Sequence, residues 1–340
     1  MNKRPRSLKI LGRLALAGTA TWLAYHAYRK KQLQREAPHQ GISPPIAPEL
    51  TRTALINGVL MRWEEHGERE TSQLPVIMVH GIPTNPRIWR YVIPRLTRSG
   101  LHCLAWELVG FGWSINAGLG RDISIPKQVE YLRAWLDDQG IDQAVFVGHD
   151  VGGGVMQGLL AAYPERVAGL LLVDTVAFDN WPVVAMEMAR QFHFVFDKLP
   201  PALLKPIFHV GLRNLGHDNA QRGREAAALL WEPYNSSTGP AGFANQARHV
   251  SSRDTQAIAD HLPPDGYDIP VRIVWGEKDS LSIESAERLA TLLGAPLHCI
   301  PGGRHFNPED HPVIVADEIL NLLGSVAQLP TPSGPGPNEP

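Results

Sequence analysis

The sequence predicts an α/β protein: a mostly parallel eight-stranded sheet with helices on both faces and one helical insertion. Three observations carry this. Short apolar, β-branched runs alternate with helix-length stretches from about residue 53 to 175, and again from 263 to 326. Between them, residues 176–262 hold mixed helical patterns and no clear strand. Finally, residues 143–155 pass from a buried strand (Ala144, Val145, Phe146, Val147) directly into an apolar-rich helix through Gly148, Gly152, Gly153 and Gly154.

The elements follow in order. In residues 1–35, Lys3, Arg4, Arg6, Lys9 and Arg13 precede an apolar run over 14–28, and Arg29, Lys30, Lys31 and Arg35 follow it. The run is shorter than the ~20 residues of a spanning helix, though Ile10 and Leu11 extend it, and Trp22, Tyr25 and Tyr28 suit a membrane interface. The basic residues after it argue against a cleaved signal peptide. Two readings stay open: a membrane anchor contacting a membrane surface through residues 8–31, or a basic leader. Without an anchor, a cytoplasmic protein is expected. Residues 36–52 are Pro-rich and read as a linker.

The folded domain then begins at residue 53, with a hairpin around Asn57-Gly58. A buried strand over 75–79 leads into His80-Gly81-Ile82-Pro83 and a helix over about 88–99. A strand over 101–106, a helix near 127–139, the Gly-rich turn and a strand over 167–173 follow. The helical insertion includes patterns over 183–196 and 221–231. Strand–helix alternation resumes at 271–275, with a helix near 283–293, a strand over 296–300 and a last helix near 312–324. Residues 327–340 are rich in Pro, Gly and Ser and read as a disordered tail.

The 340 residues, 44% hydrophobic and 19% charged, suffice for one large core plus an insertion. A net charge of −2 leaves no electrostatic case for nucleic acid. Cys103 and Cys299 sit in apolar runs and read as reduced core residues, with no metal-ligand spacing. No metal or other cofactor is expected.

Gly148-His149-Asp150-Val151-Gly152 has the form G-x-nucleophile-x-G between strand and helix. With this motif, the order of elements and the position of the insertion, residues 53–325 resemble the α/β-hydrolase superfamily, and most closely its aspartate-nucleophile branch of epoxide hydrolases and haloalkane dehalogenases. The resemblance implies an α/β-hydrolase fold with a helical cap over 176–262. Asp150 matches the nucleophile, Asp279 in Trp275-Gly276-Glu277-Lys278-Asp279 matches the acid, and His305 in Gly302-Gly303-Arg304-His305 matches the base. His80-Gly81-Ile82-Pro83 matches the motif that places an oxyanion-hole amide, so the amides of Ile82 and Val151 are expected there. His80, Gly81 and His149 read as supporting residues. Glu107 and Glu277 lie near strand ends and read as solvated.

The chemistry implied is attack by Asp150 on an sp³ carbon, giving an alkyl-enzyme ester. His305, oriented by Asp279, then takes a proton from water. Each oxyanion donor contributes roughly 3 kcal/mol in well-studied cases. The partners expected are a small apolar substrate and water. Dehalogenases of this branch carry N–H side chains at the positions of Val151 and Ile82, and epoxide hydrolases carry cap tyrosines that protonate the ring oxygen. Tyr234 is the phenol of the insertion, so epoxides come first and haloalkanes second. Trp181, Trp231, His193 and His209 are further candidate donors to either leaving group. A non-catalytic protein binding a small apolar ligand is the third reading.

Overall fold

A computed structural model describes residues 51–70, 73–263 and 266–329. The segment read as an anchor or leader, the linker to residue 50 and the tail from 330 lie outside the described residues. β1 (Thr51–Ile56) begins inside the stretch read as linker. It turns into β2 (Val59–His66) through Asn57 and Gly58, whose φ values of 50° and 73° are those of a tight hairpin turn.

β3 (Val76–Val79), β4 (Cys103–Glu107), β5 (Ala144–Asp150), β6 (Val167–Thr175), β7 (Val271–Gly276) and β8 (Leu297–Ile300) complete an eight-stranded sheet of order β1-β2-β4-β3-β5-β6-β7-β8. β2 is antiparallel to both its neighbours and the other pairings are parallel. Every residue of β3, β4, β5 and β6 is buried, as expected for strands covered on both faces. Strand alternation divides them between two cores. Ile77, Val79, Phe146 and Leu172 face one side, and Val76, Met78, Val147 and Leu171 face the other.

The helix expected over 88–99 is shorter: a 3₁₀ turn at Pro86–Trp89 precedes α1 (Ile93–Arg98), which restarts with Pro94 in its first turn. α2 (Ile115–Gly118), α3 (Ile125–Asp138) and α4 (Val151–Ala162) follow. Between β6 and β7 lie α5 (Val184–Gln191), α6 (His193–Phe196), α7 (Pro201–Gly211), α8 (Ala220–Trp231), α9 (Gly239–Arg248) and α10 (Ser252–Ala259). α10 packs back on α3 and α4, so the layer above the sheet is formed by α5 to α9. α11 (Ile283–Leu293), α12 (Asn307–Asp310) and α13 (Pro312–Val326) close the fold. Cys103 is buried as expected. Cys299 is exposed, because β8 is the edge strand of the sheet and both His298 and Cys299 in it reach solvent. Among the described residues, no helix is long and apolar enough to cross a membrane.

Candidate active site

The carboxyl ends of the parallel strands converge under the cap, where α/β sheets place ligands. β5 delivers Asp150 there on a strained turn. Its φ is 53° and ψ −121°, a conformation that lifts the side chain off the sheet between strand and α4. The glycines make the approach possible. A Cβ on Gly152 would stand 2.3 Å from the Val79 carbonyl oxygen, and one on Gly81 would stand 2.1 Å from Asp150 Oδ1.

Three predicted residues from three strand ends meet. The Ile82 amide donates to Asp150 Oδ1 at 2.8 Å, and His305 Nε2 faces Asp150 Oδ2 at 3.3 Å. His305 Nδ1 stands 3.1 Å from each oxygen of Asp279, whose side chain is fully buried. Asp279 also accepts from the Leu281 amide at 3.0 Å, which fixes its plane. Burial alone would push the Asp150 carboxyl up, yet the hydrogen bond and charge of His305 hold it below its ordinary value. Burial would likewise lower His305, but Asp279 and Asp150 on its two sides hold it well above 6.5.

The supporting histidines are of another kind. His80 Nδ1 donates to the Gly81 carbonyl at 2.9 Å and its Nε2 accepts from the Leu108 amide at 3.2 Å, which pins the loop carrying Ile82. Burial lowers its pKa to about 3. His149 Nε2 donates to the His305 carbonyl at 2.8 Å, and burial with the neighbouring His305 lowers its pKa to about 4. Both are neutral spacers. Val151 is buried and opens α4 directly after Asp150.

A cavity of about 200 Å³ lies over Asp150 and His305, walled by Trp181, Met186, Phe196, Phe208, Phe243 and Leu281 among others. Two residues predicted to meet the leaving group are engaged elsewhere. Trp181 lines the cavity, but its indole N–H donates to Thr255 Oγ1 at 2.7 Å. Tyr234 is fully buried one layer back, against Phe208 (ring centroids 4.8 Å apart) and Phe243, and its hydroxyl donates to Gln246 Oε1 at 2.9 Å. His193 and His209 lie on the cap helices α6 and α7, and Trp231 stacks against Tyr234.

Glu107 is not solvated. The backbone of the loop after it closes over the end of β4, Trp113 N donates to its carboxylate, and burial raises its pKa to about 8. Glu277 is exposed and accepts from the Gly302 amide. Sequence reading missed Asp174. It is the penultimate residue of β6, with φ of 43°, and its oxygens accept from the Gly276 amide and the Asn307 side chain, both at 2.7 Å. It thus ties the strand end leading to Asp279 to the loop following His305. Burial and the charge of Asp279 raise its pKa well above the usual range. The signal was available: like Asp150, it is a carboxylate at the carboxyl end of a predominantly apolar strand. Among the described residues, no group of three or more His, Cys, Asp or Glu is arranged to hold a metal ion.

Comparison with known proteins adds the following. The model of the alpha/beta hydrolase fold family matches residues 75–312. The bifunctional epoxide hydrolase 2 of Sus scrofa is 31% identical over 140 residues, 41% of this chain and 24% of that protein. The haloalkane dehalogenase of Bradyrhizobium diazoefficiens is 32% identical over 136 residues, 40% of this chain and 42% of that one. The matched part is therefore less than half the length of either relative. Among solved structures, an alpha/beta hydrolase fold protein from Burkholderia ambifaria superposes with a TM-score of 0.69 at 24% identity, covering 83% of this chain and 100% of that one. The epoxide hydrolase CorEH superposes with a TM-score of 0.62 at 19% identity, covering 81% and 98%. At these identities the superpositions speak to fold alone.

Proposed function

Since the chain belongs to the alpha/beta hydrolase fold family, we propose that it is a hydrolase acting at an sp³ carbon of a small apolar substrate through an ester on Asp150. One observation carries this reading: a buried carboxylate, held ionised on a strained turn, with His305–Asp279 on one side and the Ile82 amide on the other. A buried, paired carboxylate on a strained turn that opens onto a cavity is the arrangement of a reactive site, which argues against a protein that merely binds an apolar ligand.

Asp150 attacks carbon as the leaving group departs. Esterification removes its charge, and His305 loses one of the two carboxylates that hold its proton. Its pKa falls, the proton leaves to solvent, and the neutral imidazole, oriented by Asp279, deprotonates water. The hydroxide adds to the Asp150 carbonyl carbon, and the amides of Ile82 and Val151 receive the oxyanion. On collapse the departing alkoxide takes from His305 the proton that came from water, and Asp150, released as the acid, returns its own proton to His305.

Epoxides are the first substrate class, as the name of the porcine relative suggests. Carbon–halogen bonds are the second. That reading is favoured by a cavity wall whose polar side chains are Asp150, Ser280 and His305: a halide leaves without the proton that an alkoxide needs. Incubating the protein with a panel of epoxides and a panel of haloalkanes, and measuring diol and halide, tests both. Release of neither product across the panels would refute the proposal. Anchoring of the chain through residues 8–31 also belongs to this reading, and rests on the sequence of that segment.

A further inference from the structure

The cap is apolar on its outside as well as over the cavity. Of thirteen large hydrophobic side chains exposed among the described residues, seven lie between residues 184 and 207. Val184 (79% exposed) and Met188 (57%) are one turn apart on α5, Leu203 and Ile207 one turn apart on α7, and Phe192 and Phe194 flank the start of α6 between them. α5 therefore carries apolar residues on two faces, with Met186 and Ala189 toward the cavity and Val184 and Met188 toward solvent. Ile207 belongs to both sets: it lines the cavity and is half exposed. The apolar outer face thus continues into the apolar cavity at the mouth.

We propose that this face of the cap docks on an anionic lipid bilayer, so that apolar substrates reach the cavity from the lipid phase. Isolated exposed hydrophobes are ordinary, but seven within residues 184–207, on helices that also wall the cavity, mark an interaction surface. Charge selects the occupant. Residues 182–216 carry Arg190, Lys198, Lys205 and Arg213 against Glu187 and Asp197, an excess of cations in a chain of net charge −2. Lys198 and Lys205 are exposed, interleaved with the apolar residues. A second copy of the chain would oppose this basic patch with itself. The apolar run over 14–28 would bring its own flanking cations, Lys9, Arg13, Arg29, Lys30 and Lys31, onto the same patch. An anionic membrane surface complements both segments, each a weak signal of the kind that anchors stably only in combination.

The test uses the full chain with the exposed thiol removed (Cys299→Ser), since Cys103 is buried. An environment-sensitive fluorophore is placed on Met188→Cys in one preparation and on Asp138→Cys in another. Asp138 ends α3, at the opposite end of the sheet from the cap. Vesicles of phosphatidylcholine and phosphatidylglycerol, mixed roughly two to one, should shift the emission at 188 to the blue and expose it to quenching by doxyl-labelled lipids. The label at 138 should not respond. Val184→Glu with Met188→Glu should lower vesicle partitioning about tenfold, or about 1.4 kcal/mol.

Unchanged partitioning in that double variant overturns the proposal. So does protein that binds vesicles while the label at 188 stays in water, because residues 1–35 then suffice. A blue shift without vesicles also overturns it, assigning the face to a second copy if the shift depends on concentration and to the chain's own N-terminal segment if not. A protein that docks yet turns over neither epoxide nor haloalkane would break the function proposed above and leave this inference standing.

Discussion

Two buried histidine–carboxylate clusters lie on either side of the Phe306 ring. On one side His305 stands between Asp279 and Asp150, its ring centroid 5.1 Å from that of Phe306. On the other, His217 stacks on Phe306 at 4.8 Å, with Nδ1 3.0 Å from Asp310 and Nε2 facing Glu309 at 3.5 Å. In both, burial opposes the proton and paired carboxylates hold it, so both pKa values are raised. The difference lies in what else each group touches. Asp310 also accepts from the Asp218 amide, Glu309 pairs with Arg90, and Arg222 donates to the Glu309 carbonyl. None of these ionisable groups lines the cavity. Asp150 and His305 do line it. A histidine between two acids is therefore no sign of chemistry by itself. Each cluster has a backbone amide on one of its acids, so what separates them is an acid on a strained turn with open space above it.

The comparison breaks most sharply on the first cluster. Asp150→Ala should reduce turnover on the order of 10⁴-fold or more without loss of fold, measured by product release and thermal unfolding. Substantial remaining activity would exclude the covalent route. His305→Gln should spare the first half-reaction and stall the second. Intact-protein mass spectrometry should then show an adduct of the substrate's alkyl mass on Asp150. Multiple turnovers with no trapped adduct would remove His305 as the base.

The second cluster should respond in stability rather than chemistry. His217→Gln leaves Asp310 and Glu309 short of a buried cation, a loss of about 3 kcal/mol. Because the folded-state pKa of His217 is raised, its proton favours the folded state. The contribution is complete below its ordinary value of 6.5 and is lost as pH rises through the higher folded-state value. Asp310, Glu309 and Arg90 face His217, and Asp218, paired with His311, donates its amide to Asp310. Denaturant unfolding of both proteins across that range should show the gap narrowing with rising pH. A gap that widens would mean that His217 is neutral in the folded protein.

The first cluster is legible in the sequence because its members follow local rules. Asp150, Asp279 and His305 each come just after an apolar strand, in a turn marked by glycine, and the alternation of strands and helices carries those turns to one edge of the sheet. The second cluster joins His217 to Asp310 across 93 residues, with no local pattern to announce the contact. Glu107 fails as a solvated residue for the same reason, since the chain that buries it, Gly112 and Trp113, packs there only in three dimensions. Asp174 carries a local signal but opens no helix, so a search for strand-to-helix turns passes over it. The cap is the least legible part. Its helices are apolar on more than one face, and no periodicity tells which side chain meets the cavity.

Tyr234 shows this most directly and gives the smallest expected effect. As the phenol of the insertion it reads as the proton donor to an opening epoxide. In the structure its hydroxyl donates to Gln246, whose amide in turn donates to the Gly110 carbonyl at 2.8 Å, and the rings of Phe208 and Phe243 stand between it and the cavity. Burial raises its pKa, so the group keeps its proton. Tyr234→Phe removes one donor and leaves the Gln246 oxygen unpaired, a cost of about 1 kcal/mol in stability. Turnover should stay within about twofold of the unsubstituted protein for any substrate, because a shift of that size is below 0.5 kcal/mol in barrier height. Rate measurements on an epoxide and a haloalkane decide the matter. A severe loss confined to the epoxide would mean that the cap reorganises in turnover and carries Tyr234 to the leaving oxygen. Equal rates on both substrates leave Tyr234 in the cap's packing, and the proton for an alkoxide must then come from elsewhere.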